Sequence, residues 1–286
     1  MAGAGMRDVK RRIKSVESTM QITKAMQLVA SSKLRRAKER VETARPYFNT
    51  LYDTICVMAA NNRDKTSVYT KPRTVNRIAY VVIAGDRGLA GGYNSNLFKF
   101  AVNYMDKEKA LVIPVGKRSA EYFSRRDYAY RLTDYTAVES LDLERCFELA
   151  RLVTELFRSG EVDEVQLIYT EFVSMLAQEP VSRKILPLSF TLEEAGQASG
   201  VGMAEFDPSI GDVLAHIIPQ FVGGMIYGAV SESFASEQGA RRTAMEAASD
   251  NAEEMIASLS LMYNRARQGA ITQEITEISA GFEALS

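Results

Sequence analysis

The sequence is poor in the residues on which most enzyme and metal sites depend. It contains one histidine, His216, two cysteines and no tryptophan among 286 residues. Histidine is the usual general base and a common metal ligand, so its scarcity argues against a histidine-built metal site and a serine or cysteine triad. Cys56 and Cys146 show no metal-ligand spacing and are typical of small buried side chains in a reducing compartment. His216 lies in an apolar run and is predicted to be a packed or hydrogen-bonded core residue.

Targeting and membrane segments are also scarce. The N-terminus has no apolar segment of the kind that secretory signals carry. Its basic start is interrupted by Asp8 and Glu17, which favours a mature N-terminus over a transit peptide. Residues 213–231 carry no charge over the length of a membrane span, but they include Pro219 and three glycines. A buried helix is therefore predicted there, and a transmembrane helix is the less favoured alternative.

Charge is balanced overall but unevenly distributed. The net charge is −1, with 46% apolar and 25% charged residues, as in a globular chain. Residues 1–45 hold twelve Lys or Arg against four acids, whereas residues 160–212 hold ten acids against Arg183 and Lys184. Two charge fields of opposite sign predict that different regions of the molecule meet different partners.

A seven-residue repeat dominates the first sixty residues. Fifteen positions alternate in steps of four and three, and only Thr23 and Gln27 among them are polar. These positions are Val9, Ile13, Val16, Met20, Thr23, Gln27, Ala30, Leu34, Ala37, Val41, Ala44, Phe48, Leu51, Ile55 and Met58. The repeat predicts a left-handed coiled-coil seam, with Pro46 either kinking the helix or removing one hydrogen bond. A second stripe of Ile22, Met26 and Val29 indicates either a wider core face or a further partner.

The middle of the chain alternates between apolar runs and helical stretches. Continuous apolar runs at 77–84, 110–115 and 165–170, with a weaker one near 128–132, predict strands covered on both faces. Helices are predicted at about 95–107, 117–125 and 141–158, which together with the strands favours a parallel α/β sheet. A final extended piece is predicted at 182–188.

Helical periodicity returns near the C-terminus. Its predicted seam is Met245, Ala248, Ala252, Met255, Leu259, Met262 and Ala266. The predicted fold is a long antiparallel left-handed coiled coil of N- and C-terminal helices with an inserted Rossmann-like α/β domain. The predicted divisions are an N-terminal helix at 1–60, a linker at 61–76, the α/β domain at 77–190, a connecting loop at 191–208 and a C-terminal helix at 209–286.

No catalytic constellation emerges from the sequence. The loop GDRGLAGG at 85–92 follows the first strand, where α/β folds often bind phosphate, but it matches neither GxGxxG nor a phosphate loop ending in GK[ST]. A tight turn is the expected role. No catalytic, cofactor-binding or metal site is predicted, and no cofactor. A nucleotide-dependent enzyme and a nucleic-acid-binding coiled coil are the alternatives; the basic helix lacks a groove-reading motif, so nucleic acid is not an expected partner.

Four ordered motifs resemble the γ subunit of F-type ATP synthases. SVESTMQITKAMQLVASSKLRRA at 15–37 resembles that family's first helix, and DRGLAGGYNSNLF at 86–98 resembles its α/β-domain signature. SEQGARRTAMEAASDNA at 236–252 and LMYNRARQGAITQEITEISAG at 261–281 resemble its C-terminal helix. The resemblance spans the chain from end to end.

The resemblance implies a non-catalytic rotor shaft that couples ion flow to ATP synthesis. Its expected partners are three α and three β subunits, which hold the catalytic sites, the ε subunit and a ring of membrane c subunits. The expected location is peripheral, at the cytoplasmic face of a bacterial plasma membrane. Arg241, Arg267, Gln268 and Thr272 match positions that contact the catch loops of the ring, and Met26 matches a position near an acidic β-subunit loop. Glu205, Phe206 and Asp207 match the region approaching the c-ring.

The residues, taken together with this resemblance, lead to three hypotheses. Arg35 and Arg36 are predicted to face acidic surfaces of the αβ ring. Residues 219–228, with one proline and three glycines, are predicted to form either a compliant section or a segment stabilised by packing. Residues 263–286 are predicted to extend beyond the coiled coil as a single helix whose Ile275 and Ile278 enter an apolar collar of the ring.

Overall fold

The computed structural model describes residues 2–61, 68–71, 73–131, 137–175, 177–188 and 210–283. Within these ranges the helices are α1 (Ala2–Asn61), α2 (Tyr93–Tyr104), α3 (Lys117–Ser124), α4 (Leu143–Arg158) and α5 (Ile210–Glu283), with a 3₁₀ turn at Val138–Ser140. The strands are β1 (Ile78–Ile83), β2 (Ala110–Val115), β3 (Ala129–Tyr130), β4 (Glu164–Phe172) and β5 (Gln178–Leu186).

The chain divides into two compact units. The helical unit comprises Met1–Ala30 and Arg241–Ser286, and the sheet unit comprises Ser31–Ala240. This division cuts through both α1 and α5, whereas the predicted domains follow the ends of the elements. The predicted loop 191–208 lies outside the described residues, and the predicted linker 61–76 is described only in part.

The sheet has the order β3-β2-β1-β4-β5. β1 lies between β2 and β4 and is parallel to both, so that Val81 faces Ile113 on one side and Leu167 on the other. β3, the weakest strand in the sequence, pairs parallel with β2 as predicted. β5 runs antiparallel to β4, which corrects the fully parallel sheet that the sequence favours. The reason is the short connection between β4 and β5, because a parallel return needs a crossover of a dozen or more residues.

Both faces of the sheet are covered. Tyr80 and Val82 of β1 pack with residues of α2 and α3. Val81 and Ile83 point the other way, into a larger core shared with α4 and parts of α1 and α5. Burial on both faces explains why β1 is a continuous apolar run without polar alternation.

The seam predicted for α1 is confirmed wherever its side chains are described. Every one of its positions is buried or half-buried except Val41, whose side chain lies outside the described set. The helix continues without interruption through Pro46. Ring contacts of Phe48 with Tyr227 and of Tyr52 with Phe221 show that α1 and α5 run antiparallel within the sheet unit.

The seam predicted for α5 is wrong at every second position, where the more buried residue lies one place further along the chain. Met245, Ala252 and Leu259 are buried as predicted and Ala248 is half-buried, but Met255, Met262 and Ala266 are exposed. Ser249 is buried in the helical unit, and its hydroxyl hydrogen-bonds the Thr23 hydroxyl at 2.7 Å. Ser249 is therefore a polar residue in the seam. A pattern of apolar repeats does not predict it, because serine does not count as apolar.

Two adjacent glycines of α5 have a packing role. A Cβ on Gly223 would lie 2.1 Å from the Phe147 ring of α4, and a Cβ on Gly224 would lie 2.2 Å from the Phe48 ring of α1. Neighbouring Ile218, Val222 and Ile226 are fully buried in the larger core. The structure therefore favours the packing interpretation of residues 219–228 over the compliant section.

One part of α5 is apolar and long enough to cross a membrane on composition alone, with half of that window buried inside the chain. Leu214, Phe221 and Val230 belong to the larger core. Packing inside the sheet unit accounts for the absence of charge in residues 213–231. His216 is exposed rather than in the core, and its Nδ1 hydrogen-bonds the Asp212 carbonyl oxygen at 2.9 Å.

Candidate partner-binding surfaces

The basic face of α1 is open to solvent in the sheet unit. Arg35 and Arg36 are both exposed, and Arg35 Nε lies 3.8 Å from Glu39 of the same helix. Lys33 differs because it pairs with Glu139, which follows the sheet's third strand. The two arginines therefore project charge that this chain neutralises only in part, as an electrostatic interface requires.

The second stripe of α1 lies at the surface of the helical unit. Ile22 is 58% exposed and Val29 is similarly exposed, while Met26 between them is half-buried. A wider core face would bury all three side chains. The exposure of Ile22 and Val29 favours the second alternative, in which another molecule covers this stripe.

The predicted catch-loop residues of α5 fall into two groups. Arg267, Gln268 and Thr272 are exposed, and the Thr272 hydroxyl donates to the Gln268 carbonyl oxygen at 2.9 Å. Arg241 is only 8% exposed, so this chain covers most of its side chain. The structure thus gathers three of these four residues on accessible parts of one helix within about one and a half turns.

The end of α5 carries apolar side chains in solvent. Every residue from 271 to 280, here called the terminal segment, is exposed, including Ile271, Ile275 and Ile278. Their spacing of four and three puts the isoleucines on one face of the helix. Tyr263 and Ala270 are still half-buried, so the single helix begins near residue 271 rather than at the predicted 263.

The predicted c-ring contacts Glu205, Phe206 and Asp207 lie outside the described residues. Within the described ranges, no group of three His, Cys, Asp or Glu side chains is placed to hold a metal ion. Cys56 and Cys146 are buried cysteines outside any disulfide, and burial raises the pKa of the Cys146 thiol to about 12, which suppresses thiolate chemistry.

The glycine loop builds a polar joint at the carboxyl end of β1. Asp86 accepts hydrogen bonds from the backbone N–H groups of Lys117 at 3.1 Å and Glu139 at 3.2 Å. Lys117 is the first residue of α3, so the Asp86 carboxylate takes the helix-terminal position at which anions bind. The Gly85 N–H donates to the Asn94 side-chain oxygen at 3.0 Å, which ties the loop to α2.

A second carboxylate fills the crevice at the carboxyl ends of β1 and β4. This is the topological switch point of the sheet, because the connection after β1 leads to one side and β4 lies on the other. Glu237 of α5 is 3% exposed, and a Cβ on Gly85 would lie 2.8 Å from its carboxyl carbon. Any larger residue at position 85 would therefore require the Glu237 carboxyl group to move.

Serines of α5 complete this joint. The Ser233 hydroxyl hydrogen-bonds the Tyr93 hydroxyl at 2.7 Å and donates to the Ile83 carbonyl oxygen at 3.3 Å. Ser236 donates to the Thr170 carbonyl oxygen at 3.1 Å. The crevice in which an α/β sheet binds phosphate is thus filled by the chain's own helix. Sequence reasoning missed this role of Glu237, since nothing in the local pattern distinguishes it from an exposed helical glutamate.

Known proteins share both the sequence and the fold. A family model described as ATP synthase matches residues 5–285. The ATP synthase gamma chain of Ruminococcus albus is 52% identical over 284 residues, covering 97% of each chain. The sodium-ion-specific ATP synthase gamma chain of Acetobacterium woodii is 43% identical over 298 residues, covering 98% of this chain and 99% of its own.

Solved structures agree at the level of fold. A chain of the Euglena gracilis mitochondrial ATP synthase superimposes with a TM-score of 0.67 at 21% identity, covering 99% of this chain and 95% of that one. A chain of the Tetrahymena thermophila central stalk and c-ring structure gives 0.60 at 21% identity, covering 80% and 99%. Two long paired helices with an inserted mixed sheet are therefore the fold of an ATP synthase central stalk, as predicted. With the sequence relatives, the chain belongs to the ATP synthase gamma chain family.

Proposed function

We propose that this chain is the rotating shaft that carries torque between a membrane c-ring and a ring of three α and three β subunits. The observation that carries this proposal is the terminal segment of α5, which exposes isoleucines on a helix that nothing among the described residues covers. An isolated helix of this length is marginal in water, so a surrounding protein must stabilise it.

The apolar face of the terminal segment suits a bearing. Contacts between apolar surfaces are non-directional, so Ile275 and Ile278 remain buried in a collar whatever the rotation angle. Arg267, Gln268 and Thr272 suit the opposite task, because charged and polar hydrogen bonds depend on direction and transmit force. Met26, Arg35, Arg36 and Arg241 are proposed as further contacts with the αβ ring.

The shaft itself is proposed to have no catalytic site. Glu237 and Asp86 place acidic side chains where a nucleotide phosphate would bind, and a carboxylate repels a phosphate group. The catalytic sites belong to the β subunits in this proposal. The nucleotide-dependent enzyme is therefore the weaker alternative.

The remaining contacts are assigned to the membrane side of the complex. Glu205, Phe206 and Asp207 are proposed to meet the c-ring, with the ε subunit bound nearby. The chain reaches the membrane only through that ring, at the cytoplasmic face of the bacterial plasma membrane. Nucleic acid has no place in this assignment.

The test is co-purification with α and β subunits of the same organism, followed by ATPase and single-molecule rotation measurements. We expect the wild-type complex to rotate, and Ile278→Asp to lower the yield of complex or its turnover. Val173→Asp, a matched change of an exposed β-branched residue outside the terminal segment, is the control. Absence of a complex with wild-type chain, or equal effects of the two variants, would overturn the proposal.

A further inference from the structure

A pocket of about 180 Å³ lies within the sheet unit, between α1, the 3₁₀ turn at Val138–Ser140 and α5. Its apolar lining comprises Ala37, Val138, Leu141, Val230 and the half-buried rings of Tyr227 and Phe234. For comparison, an apolar protein cavity of about 150 Å³ holds one benzene molecule. The pocket is therefore large enough for one ring or a short aliphatic group.

One side of the pocket is basic. Lys33, Arg36 and Arg40 of α1 all line it, and their spacing of three and four residues puts them on one face of the helix. Among the described residues that line the pocket, Glu139 is the one acid. It forms an ion pair with Lys33, so the charge of this lysine is neutralised within the chain.

The two arginines keep their charges. The side chains of Arg36 and Arg40 are exposed, and within the described residues neither forms an ion pair with a carboxylate. Arg35 differs, because its Nε lies 3.8 Å from Glu39. Residues four apart on a helix are neighbours, so both guanidinium groups can reach the same anion. The pocket therefore combines two positive charges that lack a partner with an apolar lining.

We propose that this pocket binds a small organic phosphate whose organic part is a single ring or a short chain. A phosphate monoester carries a charge of about −1.5 to −2 near pH 7, which matches two arginines, whereas a carboxylate carries one negative charge. The planar guanidinium also donates paired hydrogen bonds to phosphate oxygens. Inorganic phosphate would leave the apolar lining unused, and an ammonium ligand would be repelled by Arg36 and Arg40.

This site is independent of the shaft function, although the two share one residue. Arg36 is also proposed to face the αβ ring, so the ligand and the ring would compete for its guanidinium group. We therefore expect weaker binding of the ligand in the assembled complex than in the free chain. Measurements on the free full chain test the pocket alone, and their failure would leave the shaft function untouched.

The probe is phenyl phosphate, added to the full chain carrying ¹³C-methyl leucine, with the Leu141 methyl signals as readout. The ring current of the phenyl group should give these signals a saturable shift. Phenol lacks the charge and inorganic phosphate lacks the ring, so each should compete about tenfold more weakly than phenyl phosphate competes with itself. Leu261, which is exposed in the helical unit, serves as the internal control.

Two variants at exposed positions of α1 locate the charged part of the site. Arg40→Gln should weaken the binding of phenyl phosphate about tenfold, because a hydrogen bond between charged groups is lost. Arg35→Gln, a matched change of an arginine that does not line the pocket, should leave the affinity unchanged. An unmoved Leu141 signal, or equal losses from the two variants, would overturn the proposal. Benzoate that binds as tightly as phenyl phosphate would overturn the assignment of a phosphate.

Discussion

Two stretches of α5 differ in the burial of their isoleucine side chains. Within the sheet unit, Ile226 of α5 has 0% exposure because the sheet and α4 cover that part of the helix. In the terminal segment, Ile278 is 70% exposed. The side chain is the same, so the difference lies in what is packed against it. The first stretch finds its partners in its own chain, and the second requires them from another.

The largest expected effect comes from breaking the self-packed stretch. Gly224→Leu forces a side chain into the Phe48 ring, and we expect destabilisation of about 3 kcal/mol, at the upper end for overpacked cores. Gly269→Leu should be neutral or stabilising by up to about 1 kcal/mol, since its side chain meets nothing. Urea unfolding followed by circular dichroism measures both. Equal losses would show that helix flexibility, rather than packing, makes Gly224 necessary.

The next effect separates the two tasks proposed for the end of α5. Deleting residues 279–286 should leave assembly and some turnover intact, because apolar bearing contacts are spread over several side chains. Replacing both Arg267 and Gln268 with Ala should lower ATPase turnover of the assembled complex about tenfold, because truncation of a central interface contact can cost more than about 1 kcal/mol. If the deletion slowed turnover more than the double substitution, the assignment of bearing and torque contacts would be reversed.

A smaller effect is expected from the basic face of α1. Surface ion pairs contribute about 0–1 kcal/mol each, so Arg35→Glu with Arg36→Glu should weaken binding to the αβ ring roughly fivefold or more, and the loss should shrink at high salt. The adjacent pair Arg125 and Arg126, reversed in the same way, is the matched control. Titration of the αβ ring with each variant at two ionic strengths measures this loss of affinity. A loss independent of salt would contradict the electrostatic role.

The smallest effect concerns Glu232. Its pKa is raised above the ordinary 4.5 by burial, so the stability it contributes is full below about pH 4.5 and is lost as the pH rises through the folded-state value. Glu232→Gln does not titrate. The variant should therefore gain stability relative to wild type between about pH 5 and about pH 8, by less than the Gly224 effect. Thermal unfolding at both pH values tests this, and a constant difference would argue against a buried, titrating carboxyl.

The sequence identifies the elements whose burial is uniform. β1, β2 and β4 are continuous apolar runs because both of their faces are covered, and the α1 seam repeats strictly over many turns. β5 was only partly predicted, since its first residues QEPV are half-buried or exposed and include Pro180. Beginning the strand at 182 hid the short connection to β4, and with it the antiparallel pairing.

The surfaces were harder to predict than the elements. Exposure of Ile275, Ile278, Arg267 and Gln268 agrees with the sequence-based expectation of a single helix, although its start shifts by about eight residues. Glu237 and the pocket beside Arg40 depend on side chains brought together from distant parts of the chain. A local repeat or spacing in the sequence does not predict contacts between distant residues, so these features become visible only in the folded structure.

The hydrogen bond between Thr23 and Ser249 fixes the length of the projecting end of α5. Apolar side chains in a seven-residue repeat fit nearly as well after a slip of one repeat, whereas a polar pair inside the seam matches in only one alignment. A slip of seven residues would lengthen or shorten the projecting end of α5 by roughly 10 Å. The hydrogen bond between these two hydroxyl groups therefore fixes how far α5 projects. In a rotor shaft, the length of that projection determines which part of the surrounding αβ ring the helix can contact.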